Sequence, residues 1–186
     1  ILIETSHHTH NVIGTGAKDP QKMDPNASRE TLDHSIMFIF AVALLDGRWH
    51  HVDSYDRGKV QNPETISLWH KISTIEKPYW TDLYHAKDPN KKAFGGKVII
   101  TMNDGKIIED KIERANAHPA GKRPFKRENY IGKFDILTKE LITKKERNRF
   151  IELVENLRNL SAEQVKEINV QVAELSNSTL DTKGIF

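Results

Sequence analysis

The stretch Val98-Ile99-Ile100-Thr101-Met102, Asn103-Asp104-Gly105, Lys106-Ile107-Ile108 constrains this chain more tightly than any other. Two runs rich in β-branched residues flank a turn signal, so the segment is expected to close into an antiparallel hairpin. A second constraint is Ile36 to Leu45, IMFIFAVALL, which is apolar all round. A helix of that kind is expected to be buried on every side. At ten residues it is too short to cross a bilayer.

The remaining signals fill in an order. Ile1 to Thr5 is rich in β-formers and reads as a strand. Asn11 to Asn26 is punctuated by Gly14, Gly16, Pro20 and Pro25 and reads as a loop. One helix is expected to follow, capped by Ser28 or Asn26 and stopped at Gly47. Asn62-Pro63-Glu64 starts the next, with Ile66, Trp69 and Ile72 at helical spacing. Ser73 to Glu76 is a short strand ended by Pro78. After the hairpin, Tyr130, Ile131, Phe134, Leu137 and Leu141 share one helical face. Phe150, Ile151, Val154, Leu157 and Leu160 share another, and Ser161-Ala162-Glu163-Gln164 matches a capping box. The order gives an α+β fold with a mainly antiparallel sheet and helices on one face. Residues 1–140 are expected to form the α+β domain, 141–175 helices whose partner is elsewhere, and 176–186 a polar tail. A chain opening on Ile1, with a strand already under way, is expected to be a fragment of a longer protein.

Composition narrows the function classes. Among 186 residues, 28 basic and 26 acidic side chains leave a net charge of +2, which offers no strong field to nucleic acid or membrane. There is no cysteine. That excludes a disulfide framework, a Cys-ligated zinc and an iron–sulfur cluster held by this chain, and it fits a cytoplasmic setting.

Ser6-His7-His8-Thr9-His10 is the densest group of candidate ligands. If the strand continues, His8 and His10 point to one face and His7 to the other. A His-x-His pair on a strand can hold zinc, iron or copper, given further ligands. Asp33, His34, His50 and His51 are available, but their spacing forms no known metal pattern. The plainer alternative is that these imidazoles bond backbone and shape the following loop. Gly14 and Gly16 lack the Gly-Lys-Ser/Thr and the immediate helix that a phosphate loop needs. His34, after Asp33 at the start of an apolar helix, suits a proton carrier or a donor to a carboxylate; the alternative is a capping histidine. His118-Pro119 followed by Gly121-Lys122-Arg123 can clamp a polycarboxylate through its two cations; the alternative is an exposed basic loop.

Longer strings carry more information. SHHTHNVIGTGAKDPQKMDPNASRETLDHSIMFIFAVALLDGRWHHVDSY, ISLWHKIST, KKAFGGKV and AHPAGKRPFKRENYIGKF resemble the MmgE/PrpD family, which includes 2-methylcitrate dehydratase and cis-aconitate decarboxylase. The resemblance runs from Ile1 to about Phe134 and continues more weakly through the last helices. It implies a subunit with an all-helical domain and a smaller α+β domain that closes over the active site, this chain being the smaller one. It implies a cytoplasmic homodimer in propionate breakdown, acting on a tricarboxylate without a cofactor or metal. The implied reaction takes water from 2-methylcitrate: a base removes a proton next to a carboxylate, an acid assists the leaving hydroxyl, and cationic groups hold the carboxylates. On this reading His34 is the expected catalytic residue, and Ser35, Lys122, Arg123, His8 and His10 the expected substrate contacts. Related enzymes place other acid–base groups in the helical domain. Where the decarboxylase branch and many dehydratases offer a tyrosine, this chain has Phe38, a departure that counts against decarboxylase chemistry. The alternatives carried forward are a decarboxylase-like or other polycarboxylate lyase, a metal-dependent enzyme using His8 and His10, and a non-catalytic dimerisation or regulatory module.

Overall fold

The computed structural model describes residues 1–172. The polar tail expected from Ser176 lies outside the described residues. The chain divides into two compact units, Ile1–Pro124 and Phe125–Phe186.

The first unit is α+β, as the element order implied. Its sheet is mixed and mostly antiparallel. Strand β1 (Leu2–Thr5) lies between β2 (Ser73–Glu76), which runs parallel to it, and β3 (Gly96–Thr101), which runs antiparallel. Strand β4 (Ile107–Ile112) pairs antiparallel with β3 and forms the outer edge, with every residue exposed. The hairpin turns where expected. The Gly105 N–H donates to Met102 O at 2.9 Å, and Gly105 takes φ +85°, which its missing Cβ permits.

Three local expectations are corrected. The strand does not run on through the histidines. It stops at Thr5, and the Ser6 hydroxyl accepts the Thr9 N–H at 3.3 Å, capping helix α1 (His7–Val12). A cap that satisfies an otherwise orphan N–H outweighs strand propensity here. Nor does one helix run from Ser28 to Gly47. Helix α2 (Arg29–Asp33) stops, and α3 (Ile36–Asp46) starts afresh with Ser35 as its cap, Oγ accepting the Phe38 N–H at 3.3 Å. Helix α3 is also not enclosed. Met37, Phe38, Ala41 and Val42 are buried, but Leu44 is 44% and Leu45 40% exposed. Only one side packs, against α2, the turn Pro20–Met23 and α5 (Pro63–Trp69), so the last turn projects.

Helix α4 (Arg57–Val60) precedes α5, whose cap is Asn62, accepting the Glu64 N–H at 2.8 Å. Pro78 ends β2 as expected and also takes the first position of α6 (Pro78–His85), a helix the residue pattern did not announce. The core sits on the sheet face that carries Ile3 and Val98. Phe38 is its hub, with ring centroids 5.1 Å from Trp69 and 5.5 Å from Tyr55. The Trp69 Nε1 is buried there without an acceptor. The opposite face carries Glu4, Lys97 and Glu109, with Lys97 paired to Glu109 at 2.9 Å. Among the described residues no helix is long and apolar enough to cross a membrane.

The second unit contains α7 (Arg127–Thr138), α8 (Lys144–Glu155) and α9 (Ala162–Lys166), the last with the expected capping box from Ser161 and Gln164. Phe134 stacks on Phe150 at 5.1 Å beside an apolar recess of about 380 Å³. Among its described residues no apolar side chain is fully buried; the buried residue is Glu146. Both Glu146 oxygens accept from the Arg149 guanidinium at 2.7 Å, and Oε1 also accepts the Gln171 N–H at 2.8 Å. Arg149 donates onward to the carbonyls of Glu167 and Asn169, which draws the chain after α9 back onto α8. Those donors, Arg149 first, hold the Glu146 carboxyl down at about 2.

Phe38→Ala should lower the stability of the first unit by about 3–5 kcal/mol, measured by denaturant unfolding, because it empties the centre of the core. Glu146 gives the second unit an acid sensitivity. Its folded value lies below the ordinary 4.5, so its stabilisation is complete above that value and is lost as pH falls through about 2. The Gln171 amide should lose exchange protection across that window, and Glu146→Gln should remove the pH dependence.

Candidate functional site

The one parallel strand pair among the described residues, β1 and β2, ends with its carboxyl ends side by side, and helices leave from both. Ligand sites in α/β sheets favour such ends, because loops and helix starts converge there. Here the convergence brings His7 and His10 of α1 onto β2 and α6. The His7 Nδ1 lies 2.7 Å from Glu76 Oε2. The Thr81 hydroxyl donates to Glu76 Oε1 at 3.3 Å and accepts the His7 N–H at 2.9 Å, closing a ring of three residues. The His7 imidazole holds the Glu76 carboxyl below its usual range.

His10 faces a different partner. Its Nδ1 lies 2.7 Å from the Thr74 hydroxyl, which also accepts the Thr15 N–H at 3.0 Å. The Thr15 hydroxyl in turn accepts the Thr74 N–H and donates to the Thr74 carbonyl, at 3.0 and 3.1 Å. Glycine is required for the loop to come this close. A Cβ on Gly14 would sit 2.4 Å from the Thr74 hydroxyl, and one on Gly16 2.4 Å from the His10 Nε2. His8 is exposed and stacks on Tyr84, centroids 5.3 Å apart and nearly parallel. The three histidines thus serve three different partners. Among the described residues no three His, Asp or Glu side chains converge as metal ligands would.

The break between α2 and α3 holds His34 and Ser35. Ser35 is fully buried, and its hydroxyl donates to Lys22 O at 2.8 Å while capping α3. The buried Lys22 ammonium returns a bond to His34 O at 2.9 Å. The exposed His34 imidazole places Nδ1 2.9 Å from Glu30 O. A carbonyl only accepts, so Nδ1 carries the proton and Nε2 is left as the open nitrogen. Nearby, burial and then Asp33 push the Tyr55 hydroxyl up to about 12.

Lys122 and Arg123 lie on the exposed loop after β4. Lys122 lines a recess of about 270 Å³ with Lys111, Glu113 and Arg114. The Arg114 guanidinium donates to the carbonyls of Lys92 and Asn90 and pairs with no carboxylate among the described residues. A larger recess of about 720 Å³ lies on the charged sheet face, but its Lys77 and Lys97 are already paired with Glu4 and Glu109. The smaller recess is therefore the better seat for an anion. The six residues expected from sequence fall in three places: His8 and His10 on α1, His34 and Ser35 at the helix break, Lys122 and Arg123 on the loop. Glu76, Thr74, Thr81, Lys22 and Arg114 were not expected. Each meets a partner across a separation of 12 to 74 residues, where local spacing carries no signal.

Residues 1–159 match the MmgE/PrpD C-terminal domain, and the chain belongs to that family. A protein of Saccharomyces cerevisiae named "Probable 2-methylcitrate dehydratase" is 33% identical over 99 residues, 53% of this chain and 18% of the yeast protein. The 2-methylcitrate dehydratase of Cupriavidus necator is 32% identical over 89 residues, 48% of this chain and 18% of that protein. The matched stretch thus spans less than a fifth of either relative.

Thr74→Val keeps the shape of the side chain and removes the hydroxyl shared by His10 and Thr15. It should cost about 1–3 kcal/mol in thermal unfolding, the price of leaving buried polar groups unpaired.

Proposed function

We propose that this chain is the C-terminal, lid-type part of a hydro-lyase that takes water from 2-methylcitrate to give 2-methyl-cis-aconitate in propionate catabolism, by way of the methylcitrate cycle. The observation that carries the reading is the family match over residues 1–159, joined by two relatives named for this reaction. In it, residues 1–140 form the lid, 141–175 reach toward a helical domain of the same chain, and two subunits pair in the cytoplasm. His34, with Nε2 open, exchanges a proton with the substrate. Ser35 fixes the turn that presents it. Lys122 and Arg123, beside Arg114, hold carboxylates, and His8 and His10 contribute at the helix after β1. The buried Phe38 supplies no hydroxyl, which favours dehydration over decarboxylation. No cofactor or metal takes part.

The test is the intact mass of the product of the whole gene, then an assay for the new double bond by ultraviolet absorbance with chelator present. A product longer than 186 residues should convert 2-methylcitrate at an unchanged rate in chelator, and the 186-residue chain alone should show no turnover. A 21.3 kDa native product without activity would replace this reading with an assembly module. Chelator-sensitive activity would replace it with a metal enzyme.

A further inference from the structure

We propose that His7, oriented by Glu76, is a second proton-transfer residue of the hydro-lyase, acting through its Nε2. This rests on the hydro-lyase reading and adds a residue that the sequence reading left without a role.

The geometry fixes the imidazole in one orientation and one tautomer. Glu76 is ionised, its carboxyl held below the usual range by His7, so its Oε2 at 2.7 Å is an acceptor only. The Nδ1 must therefore carry the hydrogen between them. Asn11 Nδ2 also lies 3.2 Å from Nδ1, but one of its two hydrogens goes to the His7 carbonyl at 3.0 Å, and the shorter contact to an ionised carboxylate outweighs a longer one to a neutral amide. The second Glu76 oxygen is engaged by Thr81, which also takes the His7 N–H, so the carboxylate cannot swing away without breaking the ring. The result is an imidazole with a carboxylate on Nδ1, the hydrogen-bonding logic by which a base is oriented in hydrolase triads. Among the described residues Nε2 makes no hydrogen bond, and the side chain is 61% exposed, at the carboxyl end of the parallel pair.

The ligand this arrangement serves is a carbon acid next to a carboxylate. Neutral His7 takes the proton from that carbon at Nε2. The C–H electron pair becomes the C=C bond, the C–O bond breaks, and the hydroxyl departs as water with a proton from the acid, the role given to His34; His7 then releases its proton to solvent and His34 takes one up. One hydroxy-tricarboxylate gives one unsaturated tricarboxylate and one water. Glu76 is the positioning residue, since it stabilises the imidazolium without touching substrate.

The experiment has two parts. In the 186-residue chain at a pH where His7 is neutral, long-range nitrogen–proton NMR should show the Nδ1–H form, whereas a free imidazole side chain favours Nε2–H. Glu76→Ala should restore Nε2–H. Finding Nε2–H in the unaltered chain overturns the proposal whatever the protein catalyses. In the whole gene product, His7→Asn should lower kcat about 10²-fold or more with KM little changed. Glu76→Ala should lower kcat less, and Glu76→Asp should recover part of it. If both variants keep full kcat while dehydration itself proceeds, the pair is only a staple between α1 and β2 and the proposal fails. If the unaltered gene product does not dehydrate the substrate, it is the hydro-lyase reading that fails, and the acid–base role falls with it.

Discussion

Four residues carry the first unit. Strand β1 is bonded on both edges, to β2 on one side and β3 on the other, and buries Ile3 and Thr5. No other strand in the sheet joins parallel to antiparallel pairing. Without it the hairpin of β3 and β4 would stand alone, and an isolated hairpin is marginal in water. The strand is so short that its end matters as much as its length. Because Ser6 caps a helix at once, α1 leaves the sheet at the point where β2 also ends, and the histidines arrive beside Glu76 and Thr74.

The same corner solves a second problem. Strand β2 is an edge, and edges present unpaired N–H and C=O groups. Thr15 covers this one with a single hydroxyl that takes the Thr74 N–H and gives to the Thr74 carbonyl. The glycines on either side let the loop lie flat enough to do so. The polar network at the histidines is thus part of how the sheet is closed, and the exposed nitrogen of His7 sits on a frame held from behind.

Much of the fold was legible because its signals are local. Asn103-Asp104-Gly105 named the hairpin, Asn62-Pro63-Glu64 named α5, and Ser161 with Gln164 named α9. The failures were local too, and share a cause. Ser6, Ser35 and Pro78 each permit either continuation or a fresh helix start, and the outcome depends on whether the side chain finds an N–H to cap or the ring finds a first turn to occupy. Leu44 and Leu45 were read as enclosed because composition registers apolarity but not where a neighbour ends. The site was less legible than the fold. His34 and the loop of Lys122 could be singled out by residue type, whereas Glu76 and Lys22 acquire meaning only when the sheet and the helix break bring them to a histidine.

Strand β4 has six exposed residues, three of them isoleucine, and no strand beyond it among the described residues. Short apolar β-runs on an open edge are templates for growth into ribbons of many copies. What interrupts that here is Glu109-Asp110-Lys111, a charged block between Ile108 and Ile112. A second copy laid alongside would have to strip water from those charges, so the edge stays soluble through the same residues that leave it bare. The strand is a surface kept open at the cost of fibril resistance resting on three side chains.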